Sequence, residues 1–439
     1  MNLEAIDKKH LWHPYTQMQE MLDRKIRIID RAEGFHLIDI EGNRYIDGVA
    51  SMWCNVWGHN RVEIINTIKE QADNITHSSL FGLSNDKAIL LAERLSNLTG
   101  MDKVFYANDG SSAVEVAIKM AVQYWKNIGE KRDKIIALKN GYHGDTIGSM
   151  SVGYVEQFFS NYKQLLFDVK HIDSPYMYRK NKDMSDQDYI NYCLDAVEKE
   201  LKDHPICMIM ESGAQLAGGV IIYPKNYQHN ISKLCKEYDT LLILDEIATG
   251  FGRLGNMIEF IAQDSKPDIV TFGKMLTAGY LPLSVTLTNN KIYDAFLADY
   301  YDNKQLFHGH TYTGYPLACA TALTNLELYD KYNLIDEVRK KSKIIENRLK
   351  EFNNRIIGDI RHKGMAVGIE LINPNDKTPL RLKRAINHVI MEEAFKRGAY
   401  LRPLANIMML MPPLAIDNDS LNKLLDIAYD VINTLEKMV

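Results

Sequence analysis

Short apolar runs recur along the chain, and each gives way at once to polar or glycine-rich residues. Lys103–Tyr106 leads into Ala107-Asn108-Asp109-Gly110-Ser111-Ser112, and Ile135–Leu138 into Asn140-Gly141-Tyr142-His143-Gly144-Asp145. Ile206–Met210 ends at Glu211, Leu241–Leu244 at Asp245-Glu246, and Ile269–Phe272 at Gly273-Lys274. Uninterrupted apolar runs of this length predict strands buried on both faces. Helical patterns separate them: Val114, Ala117, Ile118 and Ala121 share one helical face, and Ile190–Leu201 and Tyr227–Tyr238 also read as helices. The alternation predicts an α/β fold, a large and mostly parallel sheet with helices on both sides. Ligands of such sheets gather at the carboxyl ends of the strands, where these polar residues sit.

The pattern changes towards the C-terminus. Cys319–Tyr332 and Leu334–Phe352 predict long helices, followed by a strand at Ala366–Leu371, a helix over Leu382–Arg397, a strand at Ile407–Met411 and a last helix over Asp419–Leu435. This α+β order predicts a smaller domain over 330–439, after a large domain over 51–329. A hairpin signal, Gly34–Ile40, Glu41-Gly42, Asn43–Ile46, makes residues 1–50 a segment expected to pack with the small domain.

Of 439 residues, 46% are hydrophobic and 25% charged, a globular balance that excludes wholesale disorder. The net charge of −5 argues against nucleic acid as a partner. The chain lacks an apolar stretch long enough to span a membrane and a secretory pattern at its start, so a cytoplasmic protein is expected. The five cysteines include no Cys-x-x-Cys pair, so neither a disulfide framework nor a zinc site is expected; Cys207, in an apolar run, is assigned to the core.

Four strand ends carry chemistry. Gly110-Ser111-Ser112 opens a helix, with Ser112 and Glu115 spaced as a capping box; such a helix start can cradle a phosphate, although most bind nothing. Asp245 leaves a buried strand, where a carboxylate must be paired; it is either a helix cap or structural ion pair, or the partner of a protonated ring nitrogen. Lys274 is either a solvated strand end or, in a cleft, an amine with a pKa low enough to condense with an aldehyde. Tyr142 can stack on a flat ring, whereas His143 alone reads as a structural histidine. Together, a phosphate cradle, a ring-stacking aromatic, an anion for a ring nitrogen and an amine for an aldehyde describe pyridoxal 5′-phosphate.

The chain resembles the class III, fold-type I aminotransferases that depend on this cofactor. The resemblance rests on Asp245-Glu246-Ile247-Ala248-Thr249-Gly250-Phe251-Gly252-Arg253, on Gly273-Lys274, on Gly309-His310-Thr311-Tyr312 and on Pro316-Leu317-Ala318-Cys319-Ala320. It implies that Lys274 is the lysine that holds the cofactor, that Asp245 faces the pyridine nitrogen, and that Tyr142 stacks on the ring. It implies also that Gly110 and Ser111 hold the phosphate, and that Thr311, beside His310, reaches the phosphate of a second subunit. A homodimer with shared sites is therefore expected, acting on small molecules.

Within the class, Leu11-Trp12-His13-Pro14-Tyr15-Thr16, Gly141–Thr146, Leu401-Arg402-Pro403 and Leu410-Met411-Pro412-Pro413 are similar to the branch that aminates a keto acid in biotin synthesis. By that likeness Tyr15 recognises the keto substrate, Arg402 grips its carboxylate, and Trp53, Met52 and Gly309 border it. Three departures stand out: Met52 where a tryptophan is common, His310 where a proline is common, and Ser212-Gly213 where proline usually follows Glu211. Met52 and His310 fall where the amino donor sits, so S-adenosylmethionine and lysine are both open as donors. Another class III transaminase, acting on ornithine, 4-aminobutyrate or a similar amine, is the alternative; an aminomutase and a retired, purely binding homologue are further rivals.

Overall fold

The computed structural model describes residues 2–439. Among them, a seven-stranded sheet forms the centre: β1 (Lys103–Ala107), β2 (Ile135–Leu138), β3 (Lys170–Ile172), β4 (Cys207–Glu211), β5 (Leu241–Asp245), β6 (Ile269–Phe272) and β7 (Ser284–Thr288). In space they run β1-β7-β6-β5-β4-β2-β3. Neighbours from β6 to β3 are parallel, whereas β7 runs antiparallel to both β6 and β1. The sheet is thus large and mostly parallel, as the hydrophobic runs predict.

Period-two alternation sends successive side chains to opposite faces. Met208, Leu242, Leu244 and Val270 enter one core, and Cys207, Ile209, Leu241, Ile243 and Ile269 the other. All are essentially inaccessible to water, and each large aliphatic side chain so buried stabilises the fold by about 1.5–3 kcal/mol. The apolar runs do not reveal β7, because Ser284, Thr286 and Thr288 read as loop residues. Their hydroxyls are buried but satisfied, donating to the carbonyls of Asp109 (2.5 Å), Ala113 (2.7 Å) and Asp268 (3.0 Å).

Helix α1 (Gly110–Asn127) follows β1 and buries Val114, Ala117, Ile118 and Ala121, the predicted face. Its cap differs from the expected capping box. Asp109 is the N-cap, accepting from the Ser112 amide (2.9 Å) and hydroxyl (2.8 Å). Glu115 instead reaches outwards to the Thr146 hydroxyl (2.5 Å) and the amides of Gly148 (2.7 Å) and Ser149 (3.2 Å). It thereby satisfies orphan donors of the next helix, α2 (Ile147–Val152).

The C-terminal part is an antiparallel sheet of β8 (Ile357–Lys363), β9 (Ala366–Leu371) and β10 (Ile407–Leu410), flanked by helices Leu334–Leu349, Ile386–Lys396 and Asn418–Glu436. The chain's first strands, Ile29–Glu33, His36–Asp39 and Arg44–Asp47, form a second sheet, completed by Ala399–Tyr400 running parallel to Arg44–Asp47. Ile29–Glu33 and β8 escape the pattern because they are edge strands with few fully buried positions. Arg253, fully buried after β5, ties the C-terminal part to the large sheet by donating to the carbonyls of Pro412 (2.8 Å) and Met365 (3.3 Å). Burial alone brings its pKa down to about 10. No described helix is long and apolar enough to cross a membrane.

Candidate active site

A cavity of about 590 Å³ opens at the carboxyl ends of the parallel strands, lined by Trp53, Gly110, Ser111, Tyr142, Asp245 and Lys274 among others. Its floor is buried and densely bonded. Asp245 Oδ1 accepts from the Ile247 amide (2.9 Å) and the Thr271 hydroxyl (3.2 Å), and Oδ2 lies 2.8 Å from His143 Nδ1. His143, read from sequence as structural, thus braces the acid expected at the ring nitrogen. Glu211, at the end of β4, accepts from the amides of Tyr142 (3.1 Å) and Leu216 (3.0 Å). Burial pushes its carboxyl up to about 7, against the pull of His143 and those amides.

Lys274 leaves β6 with φ 43, a left-handed conformation that costs a β-carbon residue on the order of 1–3 kcal/mol. The turn aims its Nζ into the cavity, 5.7 Å from the Trp53 ring centroid. Desolvation lowers the ammonium pKa, and Asp245 and Glu211 oppose that only in part. The amine is therefore more easily freed of its proton than a surface lysine. Trp53 is held by a strained loop: Ala50, Ser51 and Trp53 all have positive φ, and Asp47 anchors it through the Ser51 amide (2.7 Å).

At the other end the walls are more open. Ser111 Oγ contacts the hydroxyls of Ser149 (2.6 Å) and Thr146 (3.1 Å) and accepts from the Thr146 amide (3.1 Å). A β-carbon on Gly144 would stand 2.1 Å from Ser111 Oγ, and one on Gly110 2.9 Å from Ile247. Only glycine lets these segments close around the helix start. The result is a small polar hollow at the positive end of α1, suited to a dianion.

Tyr142 is backed by Phe159, near parallel at 18° with ring centroids 6.5 Å apart. Its hydroxyl donates to Asp145 Oδ2 (3.0 Å), and the Tyr15 hydroxyl donates to Oδ1 (2.5 Å). Burial and the Asp145 carboxylate raise both phenols above the usual tyrosine range, so both remain donors. Asp145 and Glu211 are thus members of the site that sequence reasoning named without a role. Asp145 falls in the Gly141–Thr146 segment and Glu211 at a strand end, but their contacts need the tertiary fold.

The other candidates do not line this cavity, although Arg402 lies near enough to Tyr142 to favour its ionised form slightly. Thr311 is exposed, and His310 Nε2 lies 3.1 Å from His308 Nε2. Gly309 packs against Phe81, where a β-carbon would come within 2.5 Å. Met52 is 44% exposed, and Arg402, beyond Ala399–Tyr400, is half-buried.

Buried acids, a desolvated amine and a helix start thus share one cavity, a set suited to proton transfer beside a bound anion. Comparison with known proteins agrees. The aminotransferase class-III family model matches residues 18–432. Adenosylmethionine-8-amino-7-oxononanoate aminotransferase of Methanocaldococcus jannaschii is 44% identical, over 98% of this chain and 97% of that relative. The enzyme of the same name from Staphylococcus aureus is 40% identical over 99% and 98%. The crystal structure of the M. jannaschii protein superposes with a TM-score of 0.92, covering 98% of each chain. An omega transaminase from Pseudomonas jessenii in complex with PMP, 26% identical, gives 0.94 over 100% of this chain and 98% of that one. On both the length matched and the identity reached, the chain belongs to the class-III aminotransferases.

Proposed function

We propose that this aminotransferase uses pyridoxal 5′-phosphate to convert 8-amino-7-oxononanoate to 7,8-diaminononanoate in biotin synthesis, with S-adenosylmethionine or lysine as amino donor. One observation carries the reading: the Lys274 amine and the Asp245 carboxylate face one cavity whose far end is the start of α1. Gly110 and Gly144 support the fit, since a β-carbon on either would collide with Ile247 or Ser111 and push the walls of the hollow apart. The relatives above 39% identity that carry the adenosylmethionine-8-amino-7-oxononanoate name support the substrate.

When bound, the cofactor supplies an aldehyde and a protonated ring that withdraws electrons from a substrate carbon. The chain does the rest. Gly110 and Ser111 hold the phosphate at the positive end of α1. Tyr142 covers one ring face and Asp245 keeps the proton on the ring nitrogen. Lys274, its amine made available by desolvation, moves the proton to and from the reacting carbon as general base and acid. Arg402 suits the substrate carboxylate because its planar fork can bind both oxygens. Tyr15 and Trp53 wall the aliphatic stretch, and Met52 and Gly309 border it.

The same reading makes the protein a cytoplasmic homodimer, with 51–329 carrying the cofactor and 1–50 packing with 330–439. Thr311, with His310, would complete the phosphate site of a second copy. The exposure of nearby Tyr300 (77%), Tyr301 (88%) and Phe307 (68%) supports a covered face there.

The test is formation of 7,8-diaminononanoate from 8-amino-7-oxononanoate, assayed separately with S-adenosylmethionine and with lysine. Turnover with either donor is expected. Turnover with neither, alongside activity on ornithine or 4-aminobutyrate, would sink the substrate assignment and leave only the class.

A further inference from the structure

The turn Val49–Cys54, which follows strand Arg44–Asp47, carries the Trp53 wall of the cavity on a costly backbone. Ala50 (φ 49), Ser51 (φ 59, ψ −77) and Trp53 (φ 64) all take conformations that suit glycine and strain a residue with a β-carbon. The turn is closed as one body, because the amides of Trp53 (2.9 Å) and Cys54 (3.1 Å) donate back to the carbonyls of Val49 and Ala50. Whatever holds Ser51 therefore holds Trp53. That hold comes from Asp47, a fully buried carboxylate. Its Oδ2 accepts from the Ser51 amide (2.7 Å) and hydroxyl (3.3 Å), and Oδ1 from the Val49 amide (3.4 Å). His59 backs it, with Nε2 3.3 Å from Oδ2. His59 Nδ1 accepts from the Asn55 side-chain amide (3.4 Å), which leaves the proton on Nε2, pointing at Asp47. The buried Arg253 adds a longer-range counter-charge, since Asp47 helps to hold its pKa up.

We propose that Asp47, backed by His59, is a positioning residue for the substrate: it clamps the strained turn so that the Trp53 ring seals the cavity wall beside Lys274. The inference rests on the proposed function, which places the keto acid in this cavity. Unclamped, the turn gains by relaxing its three positive-φ residues, and Trp53 leaves the wall. The ring lies 5.7 Å from the Lys274 amine and is buried in one cluster with Val49, Ala248 and Met409. Lys274 and Asp245 are carried by the ends of β6 and β5, so they keep their places when the turn moves. The clamp therefore governs how well the substrate is held, not how fast its proton moves.

The experiment pairs a kinetic arm with one that needs no substrate. In the holoenzyme, Asp47→Ala should raise KM for 8-amino-7-oxononanoate about tenfold, the scale of one apolar group lost from a pocket, with kcat within about threefold of wild type. Ser51→Pro, on an exposed residue, removes the clamped amide and forbids positive φ, so it should do the same even if Asp47→Ala fails to fold. Ser51→Gly keeps the amide and suits the turn, so its KM should stay at the wild-type value. For the second arm, acrylamide quenching is measured on the full chain without cofactor. Trp12→Phe removes an exposed indole, leaving Trp53, Trp57 and Trp125, all buried. In that background either clamp variant should open about one-third of the emission to quencher, and adding Trp53→Phe should abolish that fraction. A wild type that does not turn over the keto acid would defeat the substrate assignment and leave the quenching arm to decide the clamp. Trp53 still shielded in the clamp variants that fold, or a KM they leave unchanged in an enzyme active on the keto acid, overturns the proposal.

Discussion

The floor of the active-site cavity and its rim at the start of α1 are built on opposite plans. On the floor, Asp245, His143, Glu211 and Thr271 are buried, and the acids have backbone or side-chain partners on both oxygens. Behind them Glu246, also buried, accepts from the amides of Glu259 (2.9 Å) and Phe260 (2.5 Å), and burial pushes its carboxyl up to about 8. On the rim, Ser111 is half-buried while Asp109, Asp145 and Thr146 are exposed, and hydroxyls bond mostly to one another. The floor carries a large desolvation cost in the folded chain itself, whereas the rim costs little and can adapt. Substitutions on the floor should therefore change chemistry and pH dependence, and those on the rim only affinity.

The sharpest separation comes from Lys274→Ala. Turnover should fall about 10⁴-fold or more, the upper range for proton transfer by a placed side chain. The fold should survive, because losing the side chain relieves a buried charge. Retained multiple turnover in a steady-state assay would contradict the role, as would borohydride treatment of the holoenzyme that fixes no pyridoxyl group on Lys274.

Asp245→Asn tests the floor's charge with its shape kept. The amide cannot hold a proton on a ring nitrogen as an anion does, so kcat should fall about 10²–10³-fold, a typical loss for one preorganised electrostatic group. An amide that keeps its oxygen on the Ile247 amide and the Thr271 hydroxyl turns its NH2 towards His143 Nδ1, so the charge-assisted bond to the histidine is lost and with it some stability. If kcat is unchanged while only the melting temperature drops, the floor is structural and the comparison fails.

The floor also predicts a pH dependence that the rim does not. Glu211 titrates near 7 in the fold against an ordinary 4.5, so the folded state keeps its proton longer. Stability is greatest below about 4.5 for this group and is lost as pH rises through 7, by about 3 kcal/mol in all. Glu246 extends the loss towards pH 8. Urea unfolding of the cofactor-free protein across this range should show the decline, and Glu211→Gln should reduce its slope between about pH 4.5 and 7 by roughly half, Glu246 supplying the rest. A slope unaffected by Glu211→Gln would remove this acid from the account.

The two regions were also unequally legible in the sequence. The floor announces itself, because Glu211, Asp245 and Lys274 each end an apolar run, and a parallel sheet brings such ends together. Helix α1 was legible from its spaced apolar face, but its cap was not. Ser112–Glu115 has capping-box spacing, yet Asp109 reaches the Ser112 amide first and leaves Glu115 free to serve α2. Strand β7 was hidden because its hydroxyls make it look like a loop until helix carbonyls are there to receive them. The Tyr15–Asp145 contact joins residues 130 positions apart, a separation that no local pattern can report.

The smallest effect belongs to the rim. Ser111→Ala removes the oxygen that receives the Thr146 amide and touches Ser149 and Thr146. Both hydroxyls retain other partners, Glu115 for Thr146 and the Thr146 carbonyl for Ser149, so the fold should lose only about 0.5–1.5 kcal/mol. The cofactor phosphate would lose one contact of several, and its affinity should fall a few-fold, by fluorescence titration, with kcat at saturating cofactor unchanged. A fall in kcat as large as that of Asp245→Asn would mean that the rim shapes the reacting geometry and is not merely an adaptable anchor.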